Sequence, residues 1–297
     1  MTGAAYESFL SIGDITFRIA CDDRRLASDA GGLPASFFTG HGPADVHVHA
    51  QWTDTSDECR GDMVFDSGGS WQLLQSDGEL LFTFRSSVSD SVPYKTARFN
   101  PGFTAGNVEL YRRHFEHHPS DAVYALQYPL DELLMIHLLS QGKGVEIHGA
   151  ALLDRAGRAY VFAGQSGAGK STLARLWVDR DDVTLLSDER VVLRTDRDRV
   201  TVYGTPWHGD ALLASPLCGE LAAVFFLNHA PAHAVVPADG PLAAARLFSC
   251  AFLPFHSAAA VDRTLAAVEQ VTRDAPCYDL WFAPDRSVIN VLAAHMG

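Results

Sequence analysis

"VFAGQSGAGKSTLARLW", residues 161–177, decides how the rest of the chain is read. A short apolar run enters a glycine-rich loop. The loop closes on Lys170, Ser171 and Thr172, and apolar residues at helical spacing (Leu173, Leu176, Trp177) follow. Gly164, Gln165, Ser166, Gly167, Ala168, Gly169, Lys170 and Ser171 satisfy G-x-x-x-x-G-K-[ST] at each fixed position. Glycine lets the backbone turn its N–H groups inward without a Cβ clash. Amides turned inward make a positively polarised nest for phosphate oxygens. The pattern therefore predicts a strand, a loop whose amides from Gly164 to Thr172 hold the phosphates of a purine nucleoside triphosphate, ATP or GTP, and a helix to about Val178. Lys170 reaches the β and γ phosphates, and the Ser171 hydroxyl ligates Mg²⁺.

Downstream, "LLSDER" carries an apolar strand into Ser187, Asp188, Glu189 and Arg190, with Asp188 18 residues after Lys170. Phosphoryl transfer needs one carboxylate to hold the metal and another to accept the proton of an attacking hydroxyl. Adjacent acids at a strand end supply both. An ABC-type ATPase is excluded, because its carboxylates come much later and no LSGGQ-like segment exists in the chain. A GTPase is excluded by the absence of an N-K-x-D base-reading motif.

The segment "VEIHGAALLDRAGRAYVFAGQSGAGKSTLARLWVDRDDVTLLSDERVVL" resembles the catalytic domain of the HPr kinase/phosphorylase family. There a His-Gly strand, a hairpin, the phosphate loop and an Asp-Asp pair follow in this order. The resemblance covers about 50 residues strongly and the rest of the second half weakly. It implies an α/β P-loop kinase domain of the HPr kinase and phosphoenolpyruvate carboxykinase type, in an assembly larger than a monomer. It also implies that His148 stands in the place of the active-site histidine. Asp188 takes that of the aspartate acting as base, and Glu189 that of the second aspartate near the metal. Three departures stand out. Glu189 is one methylene longer than aspartate. No counterpart exists of the "RGLGI"-type segment associated with phosphorolysis and HPr docking. The first half does not look like that family's N-terminal domain. With these departures, the chain looks like an HPr kinase-like protein that keeps the engine and has changed the acceptor.

The rest of the chain frames this motif. A chain of 297 residues with 47% apolar residues and mean hydropathy near zero has ample core for two domains. No signal-peptide pattern and no bilayer-length apolar run occur, which predicts a cytoplasmic protein away from membranes. A net charge of −13 argues against nucleic acid as partner. Three residues of the 23 Lys and Arg are lysines, and one of these three is Lys170. Five scattered cysteines without C-x-x-C spacing read as reduced thiols.

Alternation in "DITFRIA" and "DVHVHAQW", and a hairpin turning at Asp77-Gly78, predict a β-rich first domain over 1–125. The P-loop domain then occupies 126–297, with strands and helices interleaved. "VYGTPWHGD" ends a strand in a turn that can rim the site, with Arg190 nearby. His47 and His49, with "HFEHH" (His114, Glu116, His117, His118), offer metal-binding side chains but fit a solvated surface better.

The expected function is an ATP- and Mg²⁺-dependent kinase. Lys170 and the loop hold the phosphates, Ser171 and Glu189 the metal, Asp188 deprotonates the acceptor and His148 assists. The acceptor is a hydroxyl of a peptide, a protein or a small molecule. The alternative is a nucleotide-switched binding module whose first half grips a partner without phosphotransfer.

Overall fold

The computed structural model describes residues 6–27, 33–55, 59–86, 92–117 and 123–296. The chain is mixed α/β and falls into two compact units. Unit 1 takes in Met1–Ser11 and Ile15–Leu134, and unit 2 takes in Ile12–Asp14 and Met135–Gly297.

Unit 1 is built on one sheet of nine strands. They are β1 (Tyr6–Ile12), β2 (Ile15–Cys21), β3 (Phe38–Thr39), β4 (Val46–Thr53), β5 (Asp62–Asp66), β6 (Trp71–Ser76), β7 (Glu79–Phe84), β8 (Lys95–Phe99) and β9 (Ala105–Tyr111). Short helices α1 (Arg24–Ala27) and α2 (Arg112–His117) flank them, and α3 (Leu130–Leu139) follows. The spatial order is β3-β1-β2-β4-β9-β8-β7-β6-β5. Alternation does its ordinary work: Val46, Val48 and Ala50 of β4 are buried, and His47 and His49 face outward. The β6–β7 hairpin turns at Asp77 and Gly78, both left-handed (φ 53° and 81°), as a two-residue turn requires.

One lysine breaks the apolar pattern. Lys95 is buried, its Nζ donating to the Gln127 carbonyl at 2.9 Å and lying 4.6 Å from the centre of the Phe84 ring. Burial pushes its ammonium down to about 7, against the attraction of Asp131.

Unit 2 contains a sheet of eight strands: β10 (Gly144–Asp154), β11 (Arg158–Ala163), β12 (Val183–Ser187), β13 (Arg190–Thr195), β14 (Val200–Gly204), β15 (Cys218–His229), β16 (Ala234–Pro237) and β17 (Cys277–Phe282). Its helices are α4 (Lys170–Arg175), α5 (Gly240–Ser249), α6 (Ala258–Asp274) and α7 (Val288–Ala293). The first half of β10 pairs β13, and its second half pairs β11 and β12. Since β15 pairs both β14 and β11, the path β11–β10–β13–β14–β15 returns to its start.

Strands β11, β15 and β17 are parallel neighbours, and the apolar runs of β11 and β15 are buried on both faces. One face packs Val161, Val224 and Phe226 against Leu247 of α5 and Val268 and Val271 of α6. The other packs Phe162, Phe225 and Leu280 against Leu173 of α4 and Ile289 and Leu292 of α7. In such sheets ligand sites lie beyond the carboxyl ends of the strands. The glycine-rich loop leaves β11 at that end.

Candidate active site

The loop begins at Gly164, whose N–H donates to the His148 carbonyl at 3.4 Å, so β10 and the loop share an anchor. Gln165, Ser166 and Gly167 are exposed and Lys170 is buried. Gly169 caps α4 at φ 95°, and a Cβ there would lie 2.9 Å from Phe282 Cζ. Only glycine meets both demands. Lys170 Nζ donates to the carbonyls of Gly164 at 2.9 Å and Gln165 at 3.0 Å. Burial lowers its pKa, opposed by the nearby Cys250 thiol and the carboxylates of Glu189 and Asp188.

Helix α4 is shorter than the sequence predicts. It ends at Arg175 rather than near Val178, because Leu176 and Trp177 bond carbonyls three residues back, tightening the last turn. Leu173 and Trp177 are still buried on one face, with Leu176 packed beside them.

Strands β12 and β13 are joined by a tight turn holding both acids. The Ser187 hydroxyl accepts from the amides of Glu189 and Arg190, each at 3.2 Å, and closes it. Gly149 N donates to the Glu189 carbonyl at 2.9 Å. Asp188 is fully buried and Glu189 half-buried. The Asp188 carboxylate accepts three backbone amides from the loop after β14. Gly209 and Leu213 donate to Oδ1 at 2.9 and 3.4 Å, and Ala211 donates to Oδ2 at 2.9 Å. "TPWHGD" thus packs beside the acid pair and rims it, with Thr205 and Trp207 buried and Thr205 Oγ1 donating to the Arg190 carbonyl at 2.6 Å.

His148 and Arg190 are direct cross-strand partners on β10 and β13, so their side chains share a face. Burial depresses His148 to about 4, helped by the charges of Lys170 and Arg190. The imidazole is neutral at physiological pH. Arg190 lies 5.1 Å over the Phe252 ring and 4.0 Å from the buried Glu146 carboxylate.

These pieces surround one open cleft of about 370 Å³, lined by His148, Ser166, Gly167, Gly169, Lys170, Ser171, Thr172, Arg175, Asp188, Glu189, Gly209 and Asp210. Of the residues expected from the sequence, His148, Lys170, Ser171, Thr172, Asp188 and Glu189 come together. Gly164, Gln165 and Ala168 form the loop without lining the cleft. The sequence did not single out Arg175, whose Nη2 donates to the Asp210 carbonyl at 2.9 Å, or the amides on Asp188. Nor did it single out His229, whose Nε2 sits 2.9 Å from the Gly167 carbonyl. A charged residue inside the apolar run of "GVEIHG" was the one available sign of Glu146.

The donors suit magnesium, which takes few protein ligands and keeps phosphate oxygens and waters: one hydroxyl (Ser171) and one carboxylate (Glu189) line the same cleft. Among the described residues no group of three or more His, Cys, Asp or Glu forms a metal cage. His47 and His49 are solvent-facing, His114 is buried in a stack with Tyr94 at 4.9 Å, and His118 lies outside the described residues. The cysteines are free thiols. No helix among the described residues is long and apolar enough to cross a membrane. A larger polar cleft of about 850 Å³ lies on the outward sheet face of unit 1, beside His49, Gln51, Arg98 and Glu109.

No family model and no curated protein matches the chain. Among solved structures, the HPr(Ser) kinase/phosphatase of Coxiella burnetii aligns at TM-score 0.30 and 11% identity, over 51% of this chain and 95% of that one. A likeness of that degree carries no weight for fold or chemistry.

Proposed function

We propose that unit 2 is a phosphotransferase that moves the γ-phosphoryl group of ATP to a hydroxyl. The observation that carries this reading is the meeting, in one cleft, of a buried loop lysine and two adjacent carboxylates delivered by separate elements. Polyphosphate oxygens would replace the Gly164 and Gln165 carbonyls as acceptors for Lys170 Nζ, and the amides from Gly164 to Thr172 would share the load. A magnesium ion held by Ser171 Oγ and Glu189 would neutralise charge on the phosphates.

Asp188 is the proton acceptor. A carboxylate offers about four lone-pair positions. Three amides occupy as many here, and they fix the orientation of the group. The remaining position on Oδ2 can take the proton of an acceptor hydroxyl. Neutral His148 can hydrogen-bond near the transferred group without competing with Lys170 for it. Arg190, beside His148, adds positive charge on the same face.

The test is incubation with Mg²⁺ and γ-labelled ATP, alongside calorimetry. Label on a hydroxyl of a peptide, protein or small molecule, lost in Asp188→Asn, supports transfer. Tight binding of ATP with no labelled product selects the nucleotide-switched module instead. No binding of any purine triphosphate overturns both.

A further inference from the structure

The loop that holds Asp188 is rigid at a place where a plain connection would be loose. Residues 209–212 form a turn closed by Leu212 N donating to the Gly209 carbonyl at 3.0 Å. Amides on both sides of Leu212 are fixed to Asp188, and Arg175 of α4 holds the Asp210 carbonyl. Just beyond, Ala214 bridges Ser187, and Ser215 N donates to the Leu186 carbonyl at 2.9 Å. Leu212 is thereby locked at φ 56°, a conformation that leucine disfavours and that glycine, asparagine or aspartate normally fills. Its side chain is 70% exposed.

A lone exposed leucine is ordinary. A leucine held outward on a left-handed backbone, on a loop laced to the acid of a polar cleft, is a presented side chain. Gly209 supplies the opening beside it. A Cβ at that position would lie 2.9 Å from Asp188 Oδ2 and 3.1 Å from Glu189 Oε2, so the absent side chain keeps clear the point where both carboxylates converge.

Resting on the phosphotransfer reading, we infer that residues 208–213 are the acceptor platform, and that the acceptor is a polypeptide serine or threonine flanked by a large apolar side chain. The hydroxyl enters over Gly209 while its apolar neighbour covers Leu212. A small polyol would leave Leu212 bare, and an acidic neighbour would meet Asp210 and Glu189. In the transfer, the acceptor oxygen bonds to the γ-phosphorus as the bond to the β,γ-bridging oxygen breaks. That electron pair leaves with ADP, and the hydroxyl proton passes to Asp188 Oδ2.

The test uses the full chain, Mg²⁺, γ-labelled ATP and three probes: serine octapeptides with leucine beside the serine, the same peptides with aspartate there, and glycerol. Leucine-flanked peptides are expected to be labelled about tenfold faster than the others, the scale of discrimination by one apolar contact. Leu212→Asp should remove that preference with the KM for ATP unchanged, and Leu212→Arg should turn it toward the aspartate peptides. Leu212→Gly, free of the backbone penalty, should fold as well and also lose the preference. Equal labelling of all peptides, faster labelling of glycerol, or an unchanged preference in Leu212→Arg would overturn the platform while leaving transfer standing. No label on any probe, with ATP binding intact, would overturn the platform, and the transfer reading is then decided by the wider acceptor search described above.

Discussion

Lys170 reaches back to the first glycine of its own loop, its Nζ 2.9 Å from the Gly164 carbonyl oxygen. The ammonium is already desolvated and aimed, and it has only to exchange carbonyl partners for phosphate. Lys170→Met should therefore weaken ATP by at least about a hundredfold, the value of two charge-assisted hydrogen bonds at about 1.5 kcal/mol each. Stability should change little, because relief of the buried ammonium's desolvation offsets the hydrogen bonds lost by the Gly164 and Gln165 carbonyls. Titration calorimetry with MgATP checks this, and wild-type affinity would remove the loop from the nucleotide site.

Asp188→Asn separates binding from transfer. An asparagine can keep two of the amide bonds through Oδ1, but its Nδ2 then faces the Ala211 N–H, donor against donor. The fold should lose about 1–3 kcal/mol, and phosphotransfer should fall at least about a hundredfold. ATP affinity should stay within about threefold. Equal losses in affinity and transfer would count against the assigned role.

His148 should remain neutral to about pH 4, which nitrogen-detected NMR of the imidazole can follow. Arg190→Met should move that titration upward, since the guanidinium is one of its causes. The sign for stability follows. The unfolded chain takes up this proton near its ordinary value of 6.5 and the folded chain waits until about 4, so acidification through that window favours unfolding.

Lys95 makes the opposite end of the pH scale informative for unit 1. Folded, it sheds its proton near 7, whereas unfolded it keeps it to 10.5. Between those values the unfolded chain binds more protons, so this residue makes stability rise with pH. Urea unfolding at pH 7 and pH 9.5 should show the rise, and Lys95→Met should flatten it.

Gly169→Ala should cost about 1–3 kcal/mol and impair ATP binding, since a left-handed alanine would also press its methyl on Phe282. Melting curves and calorimetry together measure both.

Much of this site is legible in sequence because it is local. The glycine spacing, Lys170, Ser171 and the Asp188–Glu189 doublet lie within 26 residues, and each obeys a short-range rule that the backbone enforces. The strands β11 and β15 carry apolar runs, VFA and AAVFFL, that mark doubly buried parallel neighbours. Hidden were the relationships made by backbone atoms far apart in sequence. Three amides of a Gly-Asp-Ala-Leu-Leu stretch converge on Asp188, and nothing in those side chains advertises it. Arg175 and His229 bond carbonyls, which every residue possesses, so no residue type marks the partner. The early stop of α4 escaped for a similar reason, as apolar periodicity runs on through Trp177 while the hydrogen bonds tighten.

Strands β11, β10, β13, β14 and β15 pair in a ring, and a ring has no free end from which a strand can slide. Moving one strand by a residue would turn its inward side chains outward and oblige all four companions to move with it. Insertions and deletions are thereby forced out of the strands and into their connections, at 155–157, at 196–199 and in the long stretch of 205–217. Divergence among chains of this architecture should accumulate there, outside the 209–213 segment whose amides hold Asp188, while the loop of 164–171 stays mounted on a frame that cannot slip.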